Sequence, residues 1–257
     1  MRPGSLWALS AAAAAAAAFL CALREARAAR VDPETVWEAW PWAVLGGFLG
    51  ARLYYLAAAG GAAVFAWSSW SGLNLFRGTS IQGGMLGGLL ALFLYMRRRR
   101  LPVLPLLDAF APGAALAHAV TRLGCFAAGC CYGRPTSLPW AVVFTHPQTA
   151  APRGVPLHPA QLYEAALDLG LACWLHQRLA SGALPAGGAF WRYLGGYSVI
   201  RFAVQFLRDD DAGRLLFGLA HSQYLALAML AAALAMLRRD AAGVSERRAR
   251  PSSEQGP

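Results

Sequence analysis

Residues Arg122 to Arg134 read RLGCFAAGCCYGR, and the placing of this stretch decides how the rest of the chain is arranged. It starts with an arginine inside an apolar segment, passes through three cysteines and leaves on Gly133. An arginine at membrane depth is costly and faces a partner or a substrate. A glycine exit lets backbone approach a ligand closely.

The surroundings make membrane depth the natural setting. Of 257 residues, 57% are hydrophobic and 14% charged, where a soluble chain carries about a quarter charged. Several apolar stretches approach the ~20 residues that cross a bilayer as helix. The expected class is therefore all-α, a polytopic membrane protein of about seven helices. The net charge is +10, yet every basic residue is arginine and most sit in short clusters between apolar stretches. That pattern follows the positive-inside rule and excludes a nucleic-acid groove.

The segments run Leu6 to Leu23, Trp40 to Ala59, Ile81 to Met96, Val103 to Phe126, Leu162 to Leu179, Ala186 to Leu207 and Phe217 to Leu237. The first has the basic start and small-residue site of a signal peptide near Ala26 to Ala28. Arg24, Arg27 and Arg30 behind it favour a retained helix. The loop before Ser80, with Trp67, Trp70 and Phe76, reads as interfacial. Residues 1–237 form the membrane domain, and 238–257 are expected as a disordered cytoplasmic tail. With the N-terminus outside, fourteen arginines fall on the cytoplasmic side and six outside, leaving Arg52, Arg122 and Arg201 within the membrane.

This topology sends polar groups from five segments to the outer half of the bilayer: Arg52, Gln82, Arg122, Gln161 with Tyr163 and Glu164, and Tyr197 with Arg201. His158 lies just before the fifth segment. Three arginines at one depth, with Glu164 and Asp168 as the nearby acids, ask for an anion. Guanidinium forks suit phosphate, and a phospholipid headgroup is the phosphate at that depth. Glycines at 46, 47 and 50, at 83, 84, 87 and 88, and at 195 and 196 make small faces for close helix packing.

GARLYY (Gly50 to Tyr55), SIQGGMLGG (Ser80 to Gly88), RLGCFAAGCCYGR, HPAQLYE (His158 to Glu164) and GGYSVIRFAVQFLRDDD together resemble, in order, the motifs of the prolipoprotein diacylglyceryl transferases. The resemblance covers about Arg24 to Leu237. It implies a bacterial inner-membrane enzyme that moves the diacylglyceryl group of phosphatidylglycerol to the lipobox cysteine of a prolipoprotein signal peptide. The implied partners are phosphatidylglycerol, that peptide and membrane lipids, with no cofactor and no metal. Arg122, Arg201, Tyr197, His158 and Glu164 are the implied catalytic set. Arg122, Arg52, Gln82, Gly83, Gly84, Gly124, Cys125, Gly133 and Gln161 are the implied substrate-binding set.

Several positions depart from the family pattern. Gln82 stands where histidine is common, Cys125 where asparagine is expected, Cys130 where an acid is common, and Gln205 where a glutamate follows Arg201 by one turn. Glutamine cannot act as a general base, which leaves His158, Glu164 or His118 for that task. The departures also keep open a paralogue that transfers lipid to another nucleophile, or a non-catalytic phospholipid-binding protein. For Cys125, Cys130 and Cys131 a disulfide is the first expectation, since the outer compartment is oxidising. Packed thiols come second. A metal site comes third, because Cys-x4-Cys-Cys lacks the usual Cys-x2-Cys spacing and needs His118 or His146 as a further ligand. A thiol activated by Arg122 to receive the lipid is a last possibility.

Overall fold

The computed structural model describes residues 3–58, 81–209 and 216–249. Trp67, Trp70, Phe76, Arg77 and Arg214, with the tail beyond Ala249, lie outside the described residues, as does the side chain of Gln82. The described residues form seven α-helices: α1 (Pro3–Glu25), α2 (Pro33–Ala58), α3 (Ile81–Arg99), α4 (Val103–Ala128), α5 (Ala160–Ala180), α6 (Gly188–Gln205) and α7 (His221–Ala249). A two-stranded ribbon, β1 (Val142–Val143) and β2 (Pro156–Leu157), lies between α4 and α5 and pairs antiparallel, Val142 opposite Leu157.

The all-α class is as expected, with two differences. Among the described helices, α4 is the one that is both long and apolar enough to span a bilayer by hydropathy. In α2, α3, α5 and α6, glycines, arginines or carboxylates interrupt the apolar run. The seventh helix continues to Ala249 rather than ending at Leu237. Residues 238–249 are rich in arginine and alanine, which carry helix past the apolar part.

The chain divides into two compact units, Arg30–Leu106 and Met1–Ala29 with Leu107–Pro257. The first is a helical hairpin of α2 and α3 held backbone to backbone. Gly46 and Gly50 on α2 face Gly83 and Gly87 on α3, and a Cβ on any of the four would run into the opposite main chain. These are two Gly-x3-Gly faces meeting, which permits close backbone contact and dense dispersion packing. At the other end of the hairpin, Tyr95 Oη and Arg99 Nη2 both donate to Glu38 Oε2 at 2.6 Å.

In the second unit, α1 presents Ala14, Ala18 and Ala22, all buried, as a stripe spaced one turn apart. Gly113 of α4 packs on it: its Cβ would lie 2.6 Å from the Ala18 carbonyl oxygen. Buried Glu25 at the end of α1 pairs with His176 Nδ1 of α5 at 2.6 Å. The start of α6 has Gly187 as its cap residue and so no capping side chain. Asp108 of α4 fills that need across the fold, accepting from Gly187 N at 2.6 Å and Phe190 N at 2.8 Å. A buried carboxylate thereby satisfies orphan amides at a helix N-terminus.

Gly50→Ala is expected to lower the unfolding free energy by about 1–3 kcal/mol, the usual cost of overpacking. Gly170→Ala, where a Cβ meets nothing within 4 Å, should be neutral or slightly stabilising, and thermal unfolding of the two purified variants checks the contrast. The hydrogen bonds from Tyr95, then Arg99, hold the Glu38 carboxyl below its usual range. Their stabilisation is complete above the ordinary carboxylate pKa and is lost as pH falls through the depressed one. The Tm gap between the wild type and Glu38→Gln should therefore be present at neutral pH and close in acid.

Candidate functional site

The site begins with the way α4 stops. Gly129 takes a left-handed φ of 67°, open to glycine at little cost. Its amide donates to the Phe126 carbonyl at 3.1 Å, and the Cys130 amide donates to the Cys125 carbonyl at 3.1 Å. This nested pair is a Schellman motif, which satisfies the last carbonyls of a helix and folds the chain back on its final turn. Cys130 is thereby laid over Cys125, its Sγ 3.7 Å from the Cys125 carbonyl oxygen. Cys131 also has a positive φ, 59°, uncommon for a residue with a Cβ. All three cysteines are free thiols, which corrects the expected disulfide. The turn brings the sulfurs together without joining them. Hydrogen bonds from Cys125 and Cys130, and then the charges of Arg208 and Arg122, hold the Cys131 thiol well below the usual thiol range.

Two contacts fix this loop. Gln161, fully buried on α5, donates Nε2 to the Cys130 carbonyl at 2.7 Å. Gly133 lies in a backbone crossing: its amide donates to the His158 carbonyl at 3.1 Å, and it forms an isolated bridge with Arg208. A Cβ there would stand 2.5 Å from the His158 carbonyl oxygen and 3.0 Å from that of Leu207. The exit glycine thus lets three stretches of main chain meet. Arg134 strengthens the crossing through its amide to the Leu207 carbonyl at 2.8 Å and its Nε to the Arg208 carbonyl at 3.3 Å.

Arg208, which the topology count leaves among the outer arginines, is buried and turned inward by that crossing. It joins Arg122 and Arg201 around one carboxylate. Glu164 Oε2 is 2.9 Å from Arg122 Nε, 3.8 Å from Arg201 Nη1 and 3.7 Å from Arg208 Nη1. Glu164 is 1% exposed and Asp168, one turn further on α5, is 0% exposed. Both Asp168 oxygens, Glu164 Oε1 and Gln161 Oε1 are buried with no hydrogen-bond partner among the described residues. A buried polar atom in that condition is one that water or a ligand completes. Three guanidinium groups against two carboxylates leave a net positive charge even with both acids ionised.

Tyr197, one turn before Arg201 on α6, is buried and stacks on Tyr193 with centroids 6.1 Å apart. His118, one turn before Arg122 on α4, stands edge-on to Tyr197 at 4.4 Å. His158 Nδ1 is 3.5 Å from the Tyr163 hydroxyl, which also accepts from Trp140 Nε1 at 2.7 Å. Gly124 is buried on α4 beside Cys125. Gln205 Oε1 accepts from Ser222 Oγ at 3.2 Å, so the glutamine joins α6 to α7. Arg52, Gln82, Gly83 and Gly84 belong to the α2–α3 unit. There Arg52 is buried, with its guanidinium 5.7 Å from the Tyr55 ring centroid. The structure therefore gathers Arg122, Cys125, Gln161, Glu164, Tyr197 and Arg201 in one unit and adds Arg208. Arg208 lies beyond the end of α6, so helical spacing from Arg201 does not signal it; the bridge to Gly133 places it.

The profile of the family described as prolipoprotein diacylglyceryl transferase matches residues 5–239. Three curated relatives carry the name phosphatidylglycerol–prolipoprotein diacylglyceryl transferase. That of Clostridium tetani is 40% identical over 60% of this chain and 61% of its own length. That of Polynucleobacter asymbioticus is 34% identical over 77% and 73%, and that of Bordetella parapertussis 37% over 74% and 70%.

Removing the shared carboxylate leaves three buried cations with Asp168 as the one nearby acid. Glu164→Gln is expected to destabilise the protein by about 3–5 kcal/mol, the cost of breaking a buried ion pair from one side, read as a fall in Tm.

Proposed function

Because the chain belongs to the prolipoprotein diacylglyceryl transferase family, we propose that it transfers the diacylglyceryl group of phosphatidylglycerol to the lipobox cysteine of a prolipoprotein. The observation that carries this reading is the cluster of three inward arginines on one buried glutamate. Its surplus positive charge matches the lipid phosphate. In the reaction the acceptor thiol gives up its proton, its sulfur bonds the glyceryl carbon, and the carbon–oxygen bond to phosphate breaks. Glycerol phosphate then leaves with the electron pair. Charge grows on the leaving phosphate, and Arg122 and Arg201 stabilise it where it develops. Glu164 acts as their counterion, since Oε2 is already engaged with guanidinium. Tyr197 and His158 line the route of the thiol, and His118 stands one turn from Arg122 as the nearby nitrogen base.

The protein is a multi-pass bacterial inner-membrane enzyme in this reading, with its site toward the outer leaflet. Support comes from seven helices of 18 to 29 residues and from large apolar side chains left exposed. Leu45, Leu49 and Leu53 on α2, Leu86, Leu90 and Leu94 on α3, and Leu167 and Trp174 on α5 are 39–59% exposed. Apolar surface of that extent suits lipid, not water. A second reading keeps the lipid donor and changes the acceptor. Gln205 favours it, since an amide bound to Ser222 cannot take the proton of a thiol.

Purified protein incubated with phosphatidylglycerol and a lipobox peptide should give the diacylglyceryl thioether by mass spectrometry, and Arg122→Ala should abolish it. No thioether, with phosphatidylglycerol still bound in an Arg122-dependent way, would establish the second reading or a binding role instead.

A further inference from the structure

The transfer just described assigns no step to the three thiols, which adjoin Arg122 and are built as a ligand set. The Sγ atoms of Cys125, Cys130 and Cys131 all lie within 4.8 Å of one another. We propose that these three thiols bind one zinc ion, leaving its fourth coordination position open. Thiolates on tetrahedral zinc, with bonds of about 2.3 Å, stand about 3.8 Å apart. The sulfurs therefore need only small side-chain adjustments to reach that spacing.

Three further features fit a metal. First, the backbone is already fixed: the Schellman turn sets Cys130 over Cys125, and Gln161 holds the Cys130 carbonyl from α5. Preorganised ligands are what a selective site requires. Second, a cation stands beside the cluster. Zinc with three thiolates carries one net negative charge, and Arg122 Nη1 lies 4.0 Å from Cys125 Sγ. Third, three sulfurs converge where a disulfide uses two, and a disulfide would leave the third idle. The sequence spacing argued against a metal because Cys-x4-Cys-Cys is longer than the usual Cys-x2-Cys. The helix stop removes that objection by closing the gap between residues 125 and 130. Among the described residues the group ends at three ligands. His118 and His146 are not members of it, so the fourth position falls to water or an exogenous thiol.

The binding of zinc does not depend on transferase activity and is read without it. Full-length protein, reduced and freed of metal, is titrated with cobalt(II) as a spectroscopic stand-in for zinc. The expected result is sulfur-to-cobalt charge-transfer absorption that saturates at about one ion per chain and is erased by zinc. Cys130→Ser should lose the absorption, while Cys173→Ser, at an exposed cysteine outside the cluster, should keep it. Absence of the charge-transfer band from reduced wild-type protein overturns the site. So does an intact mass two hydrogens low, with the disulfide mapped within the cluster in protein purified without oxidant.

Discussion

Everything in the site is arranged around a single buried carboxylate. Glu164 faces three guanidinium groups delivered by α4, by α6 and by the backbone crossing that follows it. One negative charge cannot neutralise three positive ones, yet without it the arginines could not be held together out of water. Burial of charge is tolerated only where pairing and hydrogen bonding offset desolvation. The arrangement is therefore incomplete by design: stable enough to form, and positive enough to draw in an anion. Asp168, buried one turn away with neither oxygen engaged among the described residues, sets how large the surplus is.

That cluster depends on a second constraint, the point at which α4 ends. The helix places Arg122 three residues before Cys125, and Gly129 stops it one turn later. Had the helix run on, Cys130 and Cys131 would point away from Cys125, and Gly133 would not reach the main chain at His158 and Leu207. Arg208 would then lose the bridge that turns it inward. One left-handed glycine thus fixes both the thiol group and the third arginine.

Much of this could be read from the sequence, and the gaps have physical causes. Apolar periodicity and arginine clustering placed seven helices, and the ordering of polar residues along them brought Arg122, Glu164, Tyr197 and Arg201 together. Arg208 escaped because charge counting assigns a residue to a side of the membrane, whereas a tertiary bridge turned this one inward. The disulfide expectation failed because spacing speaks only to which cysteines are near, not to whether they are joined. Helix α7 runs on past Arg238 to Ala249 because hydropathy falls there while helix propensity does not. Arg52 and Gln82 belong to the other compact unit.

The division of the chain into units also bears on how it is made. Helices α2 and α3 are neighbours in sequence, and their glycine faces can close as soon as both have left the ribosome. Helix α1 cannot finish so early. Its Ala18 rests on Gly113 and its Glu25 on His176, 151 residues downstream. Contacts that distant form late and leave their surfaces open in the meantime. Helix α1, made before α2 and α3, is thus locked in place after them, and its mild, alanine-rich surface suits a segment that must wait.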